Sequence, residues 1–283
     1  MTVSAGEALQ AARARLAASS QHPRRDAEGL LAHLLRWDQA ALLTHPERPL
    51  SPAESAQFQT LLQRRLAGEP MQYITGSQEF FGLLFEVSPG VLIPRPETEH
   101  LVEAVLKRVE PDARIVDVGT GSGAIAVALA HTLPRSQVTA VDLSAAALEV
   151  ARRNAGRHGV IDRIQFLQSD LLAAIDQANF DVVVSNPPYV ADGEVLEPQV
   201  SNYEPHSALY AGPTGLEVYE RLIPQARKVL KPNGWLMFEI GYGQSSELLR
   251  LLNDWNSVSL VEDLRGIPRV VQAQVPQSLL QIG

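Results

Sequence analysis

The sequence predicts an α/β fold in which a small helical bundle precedes a seven-stranded, mostly parallel sheet with one antiparallel strand. The first observation is the alternation of strand-like and helix-like segments after Ala113, which is typical of parallel strands joined by right-handed crossovers. The second is the helical spacing of apolar residues in the first 70 residues. The third is the length of 283 residues, which suits two domains. We expect a helical domain at 1–70, a β-hairpin linker at 71–93 and an α/β domain at 94–283.

The first 70 residues contain two clear helix start signals. Ser4 and Ser51 are each followed three residues later by a glutamate, which is the capping-box spacing, and Pro52 suits the first position of its helix. Two further helices are predicted, one after Pro23 and a short one at 38–44. This region contains no set of residues that could carry out chemistry. We therefore expect it to bind or position a partner, with a purely stabilising role as the alternative.

The linker and the segment after it combine alternation with prolines. Residues 71–93 alternate and contain aromatic residues and glycines, which predicts a β-hairpin. Pro94 and Pro96 then flank Arg95 and hold it in a stiff, extended segment, for which a simple surface turn is the alternative. A helix with apolar residues from Leu101 to Val109 follows.

The α/β domain is predicted to contain seven strands, with helices beginning near Gly123, Ser144, Thr214 and Gln244. Only three residues separate the last two strands, too few for a crossover, so these strands should form an antiparallel hairpin at one edge of the sheet. The strands are expected at 114–118, 137–142, 164–168, 180–185, 234–240, 258–264 and 268–275.

Composition restricts the possible classes of protein. No apolar run approaches the roughly 20 residues that span a bilayer, and the first residues lack the apolar segment of a signal peptide, so we expect a cytoplasmic protein. The absence of cysteine excludes disulfides and thiolate chemistry, and the seven histidines have no metal-ligand spacing, so no metal is expected. The net charge of −8 lies almost entirely in residues 71–283, which argues against stable binding to nucleic acid. We expect a monomer.

A glycine loop follows the first predicted strand of the α/β domain and opens a helix. Its residues are Gly119, Thr120, Gly121, Ser122 and Gly123. Glycines at this place allow the backbone to approach a ligand closely, so we expect the loop to bind a cofactor. The spacing also satisfies the dinucleotide fingerprint, and a nicotinamide cofactor is therefore an alternative.

Acidic residues stand at the ends of neighbouring predicted strands. Asp142 is well placed to accept hydrogen bonds from both hydroxyls of a ribose. Asp170, followed by Leu171, stands where an acid could accept from an adenine amino group. Asp117, one residue inside the first strand end, either faces the same crevice or caps nearby backbone N–H groups. Three successive strand ends would thus line one crevice that suits an adenosine-bearing cofactor.

The fourth predicted strand runs into the turn Asn186, Pro187, Pro188 and Tyr189. The two prolines have no backbone N–H, so this corner is poor in donors and rich in acceptors. The Asn186 side-chain oxygen and the Pro187 carbonyl could accept both N–H bonds of a planar NH2 group. Pro188 and Tyr189 could shape the slot around it. The alternative is a turn that only ends the strand.

These motifs resemble those of the class I S-adenosylmethionine-dependent methyltransferases, and the NPPY turn resembles the branch that methylates planar NH2 nitrogens. A closer resemblance, to the release factor glutamine methyltransferases, covers nearly the whole chain. It rests on VLIPRPETE at 91–99, DVGTGSGAIAVALA at 117–130, VSNPPYV at 184–190 and Tyr203-Glu204-Pro205. The chain departs from that family at 212–215, GPTG, where an acid usually precedes the last glycine.

The resemblance implies a Rossmann-like methyltransferase domain, S-adenosyl-L-methionine as cofactor, and methylation of the glutamine in the Gly-Gly-Gln motif of peptide chain release factors. It implies N(5)-methylglutamine as product. Asn186 and Pro187 are then the expected catalytic residues, and Asn186 also contacts the cofactor. Four alternatives stay open: a glutamine methyltransferase for a ribosomal protein, an amino-group methyltransferase for adenine or guanine in DNA or RNA, an oxidoreductase, and a non-catalytic sensor of the cofactor.

Overall fold

The computed structural model describes residues 3–176 and 179–277. Contacts divide the chain into a helical unit, Met1–Ser77 with Leu196–Tyr203, and an α/β unit, Gln78–Val195 with Glu204–Gly283. Every helix in the described ranges falls short of the length and apolarity that a membrane crossing requires.

The helical unit begins with the predicted start signals. Both capping boxes are present, because Ser4 and Ser51 each accept from the backbone N–H three residues later while the glutamate there accepts from the serine N–H. Apolar stripes of these helices meet in one core that includes Leu16, Leu30 and Phe58. The helices are α1 (Ala5–Leu16), α2 (Pro23–Leu35), α3 (Gln39–Thr44), α4 (Pro52–Leu66) and α5 (Met71–Thr75).

The predicted hairpin is shorter than expected. Residues 71–75 form α5 instead of a strand, and Gly76, with a φ of 71°, ends this helix. The two strands are β1 (Ser77–Phe80) and β2 (Leu83–Glu86). Phe81 and Gly82 between them have φ of 52° and 72°, the left-handed pair that a two-residue hairpin turn requires.

The α/β unit contains the seven-stranded sheet, and its strand order is β10–β11–β9–β6–β3–β4–β5. Strand β11 is antiparallel to both neighbours, and the pairs from β9 to β5 are parallel. This confirms the predicted fold class, including the edge hairpin. The elements are α6 (Glu99–Leu106), β3 (Arg114–Val118), α7 (Ala124–Thr132), β4 (Gln137–Asp142), α8 (Ala145–Arg157), β5 (Ile164–Gln168), β6 (Phe180–Ser185), β7 (Val190–Ala191), α9 (Pro198–Ser201, in the helical unit), β8 (Tyr210–Gly212), α10 (Glu217–Val229), β9 (Leu230–Glu239), α11 (Ser245–Leu251), β10 (Asn256–Glu262) and β11 (Pro268–Gln274).

Strand β9 begins four residues earlier than the sequence predicts, at Leu230. The register against β6 shifts between the pairs Phe180–Leu230 and Val182–Trp235, so the residues between them form a bulge. A Cβ at Gly234 would lie 2.8 Å from a backbone oxygen, which explains why glycine occupies this bulge.

Apolar side chains cover both faces of the sheet. On β6, Val182 and Val184 pack with the hairpin and α6–α8, whereas Val183 packs on the other face with α10 and α11. A strand buried on both faces is therefore apolar at successive positions, as predicted for the segment that leads into the NPPY turn.

Asn154 fixes the hairpin against the α/β core. Its side chain accepts from the Glu86 N–H at 2.7 Å and donates to the Glu86 carbonyl at 3.0 Å and to the Ser122 carbonyl at 2.8 Å. Because Asn154 is fully buried, these bonds tie the hairpin directly to the glycine loop.

Candidate active site

The sheet brings the predicted motifs to one edge. Strands β6, β3, β4 and β5 are parallel neighbours, and their last residues are paired, Val118 with Ser185 and Asp142 with Gln168. The Ser185 hydroxyl also donates to the Val118 carbonyl at 2.7 Å. Neighbouring strands are about 4.8 Å apart, so these four ends span about 14 Å. The NPPY turn and the glycine loop leave adjacent strands at the edge where open α/β sheets bind ligands.

Backbone hydrogen bonds shape the glycine loop. The N–H groups of Gly119 and Thr120 both donate to the Val141 carbonyl, at 2.9 and 3.0 Å. The Gly123 N–H donates to the Thr120 carbonyl at 2.8 Å. The loop is thus a defined turn tied to the neighbouring strand β4, and Ser122 within it is buried.

Three glycines of the loop have left-handed backbones, with φ of 73° at Gly119, 55° at Gly121 and 82° at Gly123. A Cβ at Gly123 would lie 3.0 Å from the Cβ of Ala151, so this glycine allows α7 to pack on α8. A Cβ at Gly119 would meet no described atom within 4 Å. The backbone at the start of the loop is therefore open to a ligand, as the cofactor prediction requires.

Asp142 lies half-buried at the end of β4 and accepts two backbone hydrogen bonds. Its Oδ2 accepts from the Gly121 N–H and its Oδ1 from the Ser144 N–H, both at 2.8 Å. Burial raises the pKa of this carboxyl, and the backbone N–H groups oppose that shift. Each carboxylate oxygen has a second lone pair, so the capacity to accept from ribose hydroxyls remains.

Asp117 is fully buried inside the end of β3. Its Oδ2 accepts from the Thr120 hydroxyl at 2.7 Å and from the Ala126 N–H at 3.2 Å, which are the capping bonds of one alternative. Its Oδ1 is buried and has no hydrogen-bond partner among the residues the structure describes. Burial raises the pKa of Asp117 to about 7. The carboxyl therefore has a structural role through Oδ2 and keeps unused acceptor capacity at Oδ1.

Asp170 and Leu171 follow β5 at the same edge. The Asp170 carboxylate is exposed and lies 2.5 Å from the Arg221 guanidinium. Leu171 has a left-handed φ of 51° and packs against the core between the sheet and α10. Their role in binding adenine stays a prediction.

A buried hydrogen-bond chain holds the Asn186 side chain. Its Nδ2 donates to the Thr98 hydroxyl at 3.0 Å, and that hydroxyl donates to Oε2 of Glu239 at 2.6 Å. Thr98 is 4% exposed and Glu239 is 3% exposed. Burial raises the pKa of Glu239 to about 7, and the Thr98 hydrogen bond opposes the shift.

Neither Thr98 nor Glu239 is among the site residues predicted from sequence. Thr98 is one letter of the VLIPRPETE run, and Glu239 is the last residue of β9. The available signal was a lone acid in the apolar segment WLMFEIG at 235–241, at a strand end. Buried acids are rare without a partner, and a lone acid at this position therefore indicates a functional or paired carboxylate.

Close backbone contacts hold the turn at Tyr189. The Gln244 Nε2 donates to the carbonyls of Tyr189, at 3.0 Å, and Gly215, at 3.2 Å. A Cβ at Gly215 would lie 2.5 Å from the Tyr189 carbonyl oxygen. The GPTG segment, where the chain departs from the expected pattern, thus packs directly on the turn. Burial raises the pKa of the Tyr189 phenol to about 12, so this side chain is neutral at ordinary pH.

Arg95 has the predicted extended backbone, with φ −101° and ψ 143°. Its guanidinium forms an ion pair with the buried carboxylate of Glu204, which also accepts from the Ile93 N–H at 3.1 Å. Glu204 belongs to the Tyr203-Glu204-Pro205 motif. Two separate motifs of the sequence are therefore parts of one charged contact in the α/β unit.

The sheet order, the glycine loop after the first strand of the unit and the acid at the next strand end define a class I S-adenosylmethionine-dependent methyltransferase. Two solved structures share this fold. A 16S rRNA methyltransferase of T. thermophilus, in complex with AdoMet and guanosine, has a TM-score of 0.53 and 22% identity over 70% of this chain and 49% of that one. A methyltransferase from Pyrococcus furiosus has a TM-score of 0.53 and 19% identity over 78% of this chain and 98% of that one.

Sequence relatives give a narrower assignment. The family described as PrmC N-terminal domain matches residues 7–76, and the methyltransferase small domain matches residues 96–202. The release factor glutamine methyltransferase of Koribacter versatilis is 49% identical, covering 93% of this chain and 95% of that protein. The one from Geobacter sulfurreducens is 42% identical, covering 90% of each. The chain belongs to the release factor glutamine methyltransferase family.

Membership in this family makes the chain an enzyme whose cofactor is S-adenosyl-L-methionine. The residues at the sheet edge fit that cofactor, because Gly119 leaves open space beside its backbone and Asp117 presents a buried oxygen. The oxidoreductase and the non-catalytic sensor are thereby excluded.

Proposed function

We propose that this enzyme methylates the side-chain amide nitrogen of the glutamine in the Gly-Gly-Gln motif of peptide chain release factors and forms N(5)-methylglutamine. The observation that carries the proposal is the orientation of Asn186. Because its Nδ2 donates to Thr98, its Oδ1 points away from Thr98 and keeps its capacity to accept. The turn that carries Asn186 leaves β6, the neighbour of the strand that leads into the glycine loop. The relatives, which are named release factor glutamine methyltransferases, support the choice of substrate.

The difficulty of the reaction lies in the nitrogen, whose lone pair is delocalised into the carbonyl of the amide. S-adenosyl-L-methionine supplies an electrophilic methyl group on a sulfonium. Asn186 Oδ1 and the Pro187 carbonyl accept the two N–H bonds of the glutamine, which holds the nitrogen in place and leaves its lone pair out of plane. The same acceptors stabilise the positive charge that develops as the N–C bond forms and the C–S bond breaks. One N–H proton then leaves to water.

The walls of the slot come from the same turn. Pro187 is buried, and Pro188 and Tyr189 are half-buried, so they present a rigid and partly apolar surface. A neutral Tyr189 ring suits packing against the flat face of an amide.

The cofactor is held by the other strand ends. The loop from Gly119 to Gly123 would border the methionine part, and Asp117 Oδ1 would accept from its amino group. Asp142 would accept from the ribose hydroxyls. Asp170 and Leu171 would border the adenine, and Asn186 would border the methyl group that is transferred. Support for these roles comes from the common edge of the sheet and from the acceptor capacity described above.

The helical domain, 1–70, is proposed to position the release factor. Support comes from its match to the PrmC N-terminal domain and from the lack of any candidate chemistry in its sequence. We further propose that the enzyme is a cytoplasmic monomer without stable nucleic-acid binding, since the excess of acidic residues in 71–283 would repel phosphates.

The test supplies methyl-labelled S-adenosyl-L-methionine and, in separate reactions, a release factor, a ribosomal protein fraction, DNA and RNA. The expected result is label in the release factor alone, on the glutamine of its Gly-Gly-Gln motif by peptide mass spectrometry. A release factor with that glutamine replaced is the control and should stay unlabelled. Label in the ribosomal fraction or in nucleic acid instead would refute the proposed substrate.

The Asn186→Ala variant tests the role of the turn. We expect kcat to fall by about 100- to 1,000-fold, which is typical for loss of one group that stabilises transition-state charge, while cofactor binding stays largely intact. Asn253→Ala, at an exposed asparagine after α11, is the matched control. Equal losses of cofactor affinity and turnover would make Asn186 a cofactor or structural residue.

A further inference from the structure

We propose that Thr98 and Glu239 are positioning residues of the methyl transfer. They determine that Oδ1 of Asn186, and not Nδ2, is turned toward the substrate. The inference rests on the proposed transfer to an amide nitrogen. The three residues come from separate parts of the α/β unit: Thr98 precedes α6, Asn186 follows β6, and Glu239 ends β9. Strands β6 and β9 are neighbours, and Ser185 is paired with Phe238. Asn186 and Glu239 directly follow these two paired residues.

With Glu239 ionised, the hydrogen-bond chain has one direction. A threonine hydroxyl has a single proton, and Thr98 donates it to Oε2 of Glu239 at 2.6 Å. Toward Asn186 the hydroxyl can therefore only accept, and it accepts from Nδ2 at 3.0 Å. The Asn186 amide is thereby held with Nδ2 inward and Oδ1 outward.

This direction matters for a substrate NH2 group. With Oδ1 outward, Asn186 accepts an N–H bond of the glutamine. With the amide flipped, its own NH2 group would face the substrate NH2 group, and two donors would meet with no acceptor between them. The flipped side chain would also place its oxygen against the lone pairs of the Thr98 hydroxyl, so Thr98 disfavours the unproductive orientation.

A purely structural role explains Thr98 less well. Thr98 ends the 3-10 turn Pro96–Thr98 and has helical backbone angles, φ −67° and ψ −18°, where it leads into α6. Its side chain makes no capping hydrogen bond to that helix. Its hydroxyl is bonded instead to Asn186 and Glu239.

Glu239 has the surroundings that such an anchor requires. It is buried, and its carboxyl accepts from Thr98, while the Tyr219 hydroxyl donates to its backbone carbonyl at 2.8 Å. Burial and the charge of Glu97 raise the pKa of Glu239, whereas the Thr98 hydrogen bond and the charges of Arg269 and Arg95 favour its ionised form. A buried acceptor at this place keeps the Thr98 proton pointing away from Asn186.

The experiment is a double-mutant cycle on the full-length enzyme with a release factor as substrate. Thr98→Val replaces the hydroxyl with a methyl group of similar size. We expect kcat to fall by about 10- to 100-fold, the range for loss of a hydrogen bond that orders a buried polar chain, with the cofactor Kd unchanged. Thr98→Ser, which keeps the hydroxyl, should stay within about threefold of wild type.

The decisive measurement is kcat of the double variant that combines Thr98→Val with Asn186→Ala. If Thr98 acts through Asn186, the double variant should be no slower than Asn186→Ala alone. If the losses in kcat of the two single variants multiply in the double variant, the inference is wrong. It is also wrong if kcat is unchanged in Thr98→Val. Thr98→Ala is run in the same cycle, so that the cycle is complete even if the valine variant does not fold. Thr139→Val, in the middle of β4, is the matched control.

The two proposals fail differently. If the wild-type enzyme leaves the release factor glutamine unlabelled, the proposed function is wrong. If the wild type labels that glutamine and the cycle is additive, only the positioning role of Thr98 and Glu239 is wrong.

Discussion

Gly215→Ala should displace the NPPY turn through the Tyr189 carbonyl, although Gly215 itself is not proposed to contact the substrate. Gly215 has a φ of 78°, and a Cβ there would lie 2.5 Å from the Tyr189 carbonyl oxygen, 3.0 Å from the Gln244 Nε2 and 3.2 Å from the Ala191 N. Ordinary contact with the carbonyl begins at 3.4 Å, so relief needs a shift of about 0.9 Å. A misplacement of about 1 Å costs a transfer reaction about 100-fold, and we expect that loss in kcat.

The matched control is Gly159→Ala, which has the same backbone penalty without the clash. Gly159 has a φ of 67°, and a Cβ there meets no described atom within 4 Å. Each substitution forces alanine into the left-handed region and should lower the free energy of unfolding by about 1–2 kcal/mol. The measurements are kcat with a release factor at saturating cofactor and the unfolding midpoint in urea. If kcat of Gly215→Ala stays within about threefold of Gly159→Ala, the reaction tolerates a displaced turn and the argument from close contact is wrong.

Three further predictions concern the cofactor site and the helical unit. Asp142→Ala should weaken cofactor binding by at least about tenfold in calorimetry, with kcat at saturation nearly unchanged. Because Asp117 has a pKa of about 7 and should bind a cationic amino group as the carboxylate, cofactor affinity should rise about five- to tenfold from pH 6 to pH 7.5. Asp117→Asn should remove that dependence. Arg65→Ala removes the guanidinium that lies 2.7 Å from the buried carboxylate of Asp26 and leaves the Ser20 hydroxyl bonded to it. Loss of the cation should cost about 3–5 kcal/mol of unfolding free energy in urea. Arg24→Ala, at an exposed pair, is the control and should change little.

Each of these predictions can be contradicted by a definite result. An effect of Asp142→Ala that appears only in turnover at saturating cofactor would refute its assignment to the ribose. If cofactor affinity depends on pH equally in wild type and Asp117→Asn, the group that titrates is not Asp117. Equal destabilisation by Arg65→Ala and Arg24→Ala would mean that burial does not raise the cost of breaking the pair.

The Arg65 contact shows how the helical unit incorporates a distant segment. Arg65 donates to Asp26 at 2.7 Å and to the Gln199 side chain at 2.9 Å, and the Tyr203 hydroxyl donates to the Ala67 carbonyl at 2.9 Å. Residues 196–203, which follow the NPPY turn in the chain, therefore pack with helices from the first 77 residues.

The sequence by itself determined the strands, most helices and the common edge of the site. These features depend on local chemistry: the capping boxes at Ser4 and Ser51, the glycines of the loop, and the apolar run before Asn186. Parallel strands place their carboxyl ends on one edge, so alternation along the chain was enough to bring the glycine loop, Asp142 and the NPPY turn together.

Local pattern failed at two places. Residues 71–75 have the alternation of a strand but form a helix, with Tyr73 and Ile74 buried. The strand predicted at 234–240 begins at Leu230, because the segment with Pro232 and Gly234 forms a bulge inside β9. At both places, burial and strand pairing with distant residues outweighed local preference.

Only the tertiary structure decided how Asn186 is held. Thr98 lies 88 positions from Asn186 and 141 positions from Glu239, and no periodicity or spacing links residues so far apart. The same holds for Gly215, whose need for glycine comes from the Tyr189 carbonyl beside it. A residue type and its neighbours in sequence set the backbone, whereas the partner of a buried polar atom is set by which strands and helices pack together.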